Sequence, residues 1–207
     1  MPDDLLRHPV HSGHLLIGAL KRHRDTPVLH LGDTTLTGGQ MADKISEYTQ
    51  AFEALGAGSG EVSGLLSLNR PEVLMITSAG QTRGYRRLAL HPLGSLDDHA
   101  YVLADSGATS LIIDPNPAFT ERAIGLLGKV PALRQVLTIG PVPPELAATG
   151  ARVVDLTAEA DRIARDATMA SIEAENPTAF VAPVPTEEQI KNVVWRDVQQ
   201  ANNAWNQ

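Results

Sequence analysis

One pattern restricts the fold of this chain more than any other. Between residues 62 and 140 four short apolar runs, VSGLLSL (62–68), RLALH (87–91), TSLIID (109–114) and RQVLTIG (134–140), alternate with amphipathic stretches. The runs are close to continuous in apolar residues, the pattern of strands covered on both faces. Strands that recur with a helix between each pair join a parallel sheet through right-handed crossovers. The expected class is α/β, a mostly parallel sheet with flanking helices.

The stretches between the strands carry helix punctuation. In NRPE (69–72), Asn69 is placed to cap, Pro71 suits a first turn and Glu72 completes a capping box, with the helix running to about Tyr85. Gly80 and Gly84 in that helix give it a smooth face for close approach to a sheet. Ser95 caps a helix through Ala104 with Asp97 and Asp98 in its first turn, and Gly107 ends it. Asn116-Pro117 opens a helix with Phe119, Ala123 and Leu127 on one stripe.

Upstream, HSGHLLIGALKRH (11–23) has helical spacing, and TPVLHLG (26–32) turns at Gly32-Asp33 into a short strand over Thr34–Thr37. A helix follows, with Met41, Ile45, Tyr48, Phe52 and Leu55 on one face and GAGSG (56–60) at its end. Downstream the composition shifts: all 17 glycines lie at or before Gly150, and both tryptophans, Trp195 and Trp205, lie after it. The sequence therefore divides into an α/β unit over 1–150 and a segment over 151–207. In the second segment ARVVDL (151–156) offers one more strand, and Thr157–Met169 a charged helix. The proline-bearing ENPTAFVAPVPT (175–186) reads as a linker. After it a helical tail starts at Thr186, with Ile190, Val194, Val198, Ala201 and Trp205 on one stripe.

The formal net charge of −7 argues against a nucleic-acid partner, and the chain has no cysteine for a disulfide or thiolate metal site. The start MPDDLLRHPV has neither a signal-peptide pattern nor a long apolar run, so no membrane span and a cytoplasmic location are expected.

Few stretches resemble chemistry. GDTTLTGGQM (32–41) suggests a phosphate loop, but Gly32 and Gly38 are one residue too far apart for that motif, and Gln40 follows Gly38-Gly39, with no lysine until Lys44. GAGSG follows a helix, whereas a dinucleotide loop follows a strand. His8, His11 and His14 recur at intervals of three, but Pro9 and Gly13 interrupt any helix that would gather them on a metal. His91 falls at the C-terminal end of a strand, where α/β proteins seat ligands, and shows no partner in the sequence; structural and catalytic roles both stay open. TRGYRR (82–87) sets three arginines around Tyr85, which suits a phosphate or acidic partner or simply the negative end of a helix dipole. No residue is assigned as catalytic, cofactor-binding or metal-ligating.

Taken in order, however, the motifs resemble the N-terminal region of the AMP-forming acyl-CoA synthetases of the adenylate-forming superfamily. LTGGQM (36–41) matches a T-Y-x-E-L-like helix start, and Asn69, Arg70, Pro71 and Glu72 match N-x-P-E. Ala79-Gly80 matches A-G-x, Pro92 to Ser95 match P-L-N-P loosely, and Tyr101, Leu103, Asp105, Ser106 and Gly107 match Y-x-L-x-D-S-G. The resemblance covers about residues 10–145 and is similar in look to actinobacterial fatty-acid–CoA ligases. It implies an enzyme that makes an acyl-adenylate from a fatty acid or other carboxylate and ATP, with Mg, and passes the acyl group to coenzyme A. The family's phosphate loop, [ST]-G-[ST]-T-G-x-P-K, and its later catalytic motifs are not in these residues. The resemblance therefore implies a ligase fragment, inactive alone, that binds none of those cofactors by itself. Two alternatives stand beside it. One is a non-catalytic module that docks or forms a homo-oligomer through the 186–205 helix. The other is a stand-alone nucleotide binder of flavodoxin-like topology.

Overall fold

Each apolar run from residue 62 onward becomes a strand of one sheet in the computed structural model, which describes residues 12–58 and 60–166. The chain enters through α1 (Ser12–Arg22) and a hairpin of β1 (Pro27–Leu31) and β2 (Thr34–Thr37), then passes directly into α2 (Gly38–Ala54). It continues through β3 (Val62–Leu66), α3 (Pro71–Arg83), β4 (Arg86–Ala89), α4 (Leu96–Ser106), β5 (Ser110–Ile113), α5 (Pro117–Lys129) and β6 (Gln135–Thr138). The short α6 (Pro144–Ala147), β7 (Arg152–Asp155) and α7 (Leu156–Asp166) complete it. The sheet is parallel throughout, in the order β4-β3-β5-β6-β7. Its first strand is interior, the second lies to one side and the rest follow on the other, which is the flavodoxin-like order. β7 pairs with β6, so the sheet runs past the boundary read from the sequence at residue 150.

The continuous apolar runs have a direct cause. Successive strand residues face opposite sides, and both sides are covered. In β5, Ile112 faces a core with Ile45, Phe52 and Ile76 from α2 and α3, and with Leu156 from α7. Its neighbours Leu111 and Ile113 face a second core with Leu103 and Leu126 from α4 and α5, and with Leu146 from α6. Full burial of side chains of this kind contributes about 1.5–3 kcal/mol each, so this alternation commits the register.

Most of the punctuation acts as expected. Ser95 and Asp98 form a reciprocal capping box, and the Asn116 side chain accepts from the Phe119 amide. Gly107 closes α4 in the left-handed conformation, with φ 69°. Two details differ. The α3 cap position belongs to Arg70 and not Asn69, and no side-chain cap bond forms, because a guanidinium has only donors and cannot accept from a helix amide; it pairs with Glu72 instead. Gly84 does not face the sheet; it is the left-handed exit of α3, with φ 72°, and only Gly80 gives room, there to the Arg87 side chain. Among the described residues no helix is long and apolar enough to cross a membrane. The segments read as linker (175–186) and tail helix (186–205) lie outside the described residues, as do His8 and His11.

Candidate functional site

Open parallel sheets seat ligands beyond the C-terminal ends of their strands, where the strand order reverses. Here that point lies between β3 and β5. The turn after β3 carries Ser67 to Arg70, and the turn after β5 carries Asp114 to Asn116. Arg70 spans the crevice. Its Nη1 donates to Asp114 Oδ1 at 2.8 Å and to the Ile139 carbonyl, just beyond β6, at 3.1 Å. Its Nε and Nη2 donate to the two Glu72 carboxylate oxygens at 3.3 and 3.4 Å. One side chain thus ties the start of α3 to the ends of two strands. Partial burial disfavours the charged guanidinium, but Glu72 and Asp114 outweigh it and raise its pKa.

Beside this clasp, between α2, α3, α7 and β2, is a cavity of about 420 Å³ bordered by Leu36, Lys44, Tyr48, Glu72, Met75 and Asp161, among others. Lys44 Nζ donates to Glu47 at 2.7 Å and to Asp161 at 3.1 Å. Burial alone would lower the lysine pKa; the bonds and charges of Glu47 and Asp161 outweigh it and raise it. Burial raises the Tyr48 hydroxyl, with Thr157 offsetting part of the effect. Both cations at this cavity, Lys44 and Arg70, are therefore each held between two carboxylates.

The threonine–glycine stretch forms the β2–α2 junction on the same side. Its amides are already engaged. Gly38 N–H donates to the Thr26 carbonyl at 3.0 Å, Gly39 N–H to the Arg24 carbonyl at 2.8 Å and Gln40 N–H to Thr37 Oγ1 at 3.3 Å. The glycines serve close packing of the backbone: a Cβ on Gly38 would lie 2.4 Å from the His23 carbonyl oxygen.

The other sequence candidates scatter. His91 sits just past β4 in an exposed turn, where its Nδ1 accepts from the Leu93 amide at 3.2 Å. Its carbonyl accepts from Nε2 of buried His99 at 2.9 Å, and Arg122 lies 3.2 Å from the other His99 nitrogen. This arrangement holds His99 as a neutral ring tying the turn before α4 to α5. The three arginines of TRGYRR do not converge. Arg86 is exposed, Arg83 closes α3, and Arg87 runs inward. Arg87 Nε donates to the Ile76 carbonyl at 3.0 Å, and its guanidinium lies over the Phe52 ring, 3.9 Å from the centroid. Burial pushes its pKa below the ordinary arginine value. Guanidinium basicity still keeps it charged near neutrality, with the ring face supplying part of the lost solvation. Sequence reasoning did not find the Arg70–Asp114 and Lys44–Asp161 pairs, whose partners are 44 and 117 residues apart. The only local signal was the arginine inside N-R-P-E.

The AMP-binding enzyme family matches residues 18–176. The medium/long-chain-fatty-acid–CoA ligase FadD8 of Mycobacterium tuberculosis is 70% identical over 157 residues, a match that covers 76% of this chain and 27% of that protein. The fold is shared with an anthranilate CoA ligase (TM-score 0.64, 20% identity, 78% of this chain and 29% of that one). It is also shared with a putative long-chain-fatty-acid CoA ligase from Rhodopseudomonas palustris (TM-score 0.63, 15% identity, 73% of this chain and 36% of that one).

Proposed function

The chain belongs to the AMP-binding enzyme family, and from that premise we propose that it supplies the N-terminal subdomain of a fatty-acid–CoA ligase and does not activate a carboxylate by itself. The observation that carries the ligase reading is the 70% identity to FadD8 over 157 residues. At that similarity over 76% of this chain, a shared reaction class for the complete enzymes is the simplest account. That reaction joins a medium- or long-chain fatty acid to coenzyme A at the expense of ATP, with Mg at the phosphates, in the cytoplasm.

The second half of the proposal rests on what the described residues offer to a triphosphate. Adenylation needs donors and cations aimed at the charge that develops on the phosphates. The amides of Gly38, Gly39 and Gln40 are taken by other acceptors. Lys44 and Arg70 are each held by two carboxylates. The crevice that holds a ligand in other folds of this strand order is bridged by the Arg70 side chain. These features argue that the subdomain is a scaffold whose partner groups come from elsewhere in a complete ligase. Calorimetric titration with ATP, AMP and coenzyme A tests this half, and no saturable heat is expected. Binding of any of the three at micromolar affinity would overturn it.

A further inference from the structure

On the face covered by α4, α5 and α6, the C-terminal ends of β5 and β6 open into a second cavity, of about 510 Å³. Three prolines, Pro115, Pro117 and Pro143, line it together with Ile124, which is 36% exposed. Three polar groups there lack a counterpart. Thr120, in the first turn of α5, is 5% exposed, and its hydroxyl has no hydrogen-bond partner among the described residues. Glu121 and Glu145 are exposed at the cavity and form no ion pair among the described residues. The two carboxylates disfavour an anion despite the nearby helix N-terminus. The occupant that fits has a flat apolar body, one hydrogen-bond donor and flanking positive charge.

The chain contains such a segment. Lys191-Asn192-Val193-Val194-Trp195-Arg196 carries two cations, which are the only basic residues beyond Asp166, on either side of two valines and a tryptophan. Indole is a hydrogen-bond donor and not an acceptor, and a buried indole N–H normally finds an acceptor. We propose that residues 191–196 dock in this cavity. Trp195 lies against the prolines and donates to Thr120 Oγ1, while Lys191 and Arg196 face Glu121 and Glu145. Reach is not limiting. The roughly 25 residues between Asp166 and Lys191 extend to about 80 Å, well beyond the roughly 30 Å breadth of a domain of this size. The cavity at the switch point is the poorer fit, because its charges already neutralise one another.

Both tryptophans of the chain lie in the tail, so Trp205→Phe leaves Trp195 as the sole indole reporter. In that background the emission should be blue-shifted and shielded from acrylamide, and unchanged on dilution. Glu121→Lys with Glu145→Lys should move it to the emission of exposed indole, and adding Lys191→Glu with Arg196→Glu should restore the shielding. Thr120→Val should raise quenching. Far-UV circular dichroism verifies that each variant is folded. Should the cavity variants fail to fold, Lys191→Glu with Arg196→Glu in the parent must by itself expose the indole. Exposed-indole emission in the parent overturns the proposal. So does shielding that survives the cavity substitutions, or shielding lost on dilution, which assigns the contact to a second copy.

Discussion

Replacing Arg70 with methionine removes the clasp while keeping an unbranched side chain of similar reach. The change leaves Asp114, whose side chain is 16% exposed, without its cation, and the Ile139 carbonyl without that donor. Removing one partner of a fully buried pair costs about 3–5 kcal/mol, and an exposed pair contributes about 0–1 kcal/mol. Arg70 is 31% exposed, so the expected loss falls between these limits, about 2 kcal/mol. In a chain of this size that lowers Tm by about 4–8 °C. Urea unfolding followed by circular dichroism measures it, and a cycle with Asp114→Asn isolates the pair. Because the two groups touch, the double variant should recover about 1 kcal/mol relative to the sum of the singles. Arg70→Met within about 0.5 kcal/mol of the parent, or strict additivity with Asp114→Asn, would refute the clasp.

Gly94→Ala places a Cβ 2.4 Å from Nε2 of His99 and 3.1 Å from the His91 carbonyl oxygen. It should cost about 1–3 kcal/mol, read as a fall in Tm. Gly38→Ala meets the backbone oxygens of His23 and Leu20 at 2.4 and 2.7 Å. Backbone yields less than a side-chain tip, so thermal unfolding should show a larger loss than for Gly94→Ala. Burial lowers the His99 pKa below its ordinary 6.5; the bond to the His91 carbonyl offsets part of this, and the Arg122 charge adds to it. The unfolded chain therefore binds that proton more readily. The stabilisation from the neutral ring is complete above pH 6.5 and is lost as pH falls toward the lower folded value. Urea midpoints between pH 7.5 and pH 5 should fall less steeply in His99→Gln than in the parent.

The strand–helix alternation was legible because both faces of the sheet are buried, and burial writes itself into consecutive residues such as Leu111, Ile112 and Ile113. Caps were legible where the bond is local, as at Ser95 and Asn116, within three residues of their partners. Asn69 misled for the converse reason: it has the right chemistry, but the helix starts one residue later, with Arg70 at the cap position pairing with Glu72 and reaching Asp114, 44 residues away. Arg87 was illegible for a similar reason. In TRGYRR it reads as one of three cations for a phosphate, an acidic partner or a helix dipole, and only the tertiary approach of Phe52 gives its guanidinium a place indoors. Spacing alone argued that GDTTLTGGQM is no phosphate loop. The structure adds where its amides go, to carbonyls of the α1–β1 turn and to the Thr37 side chain.

The decisive measurement is exchange of radiolabelled pyrophosphate into ATP by the 207-residue chain in the presence of Mg and medium- or long-chain fatty acids. A scaffold whose amides and cations are already committed gives no exchange above the protein-free rate with any fatty acid. Fatty-acid-dependent exchange that persists in the purified chain would mean that these residues grip a triphosphate after all.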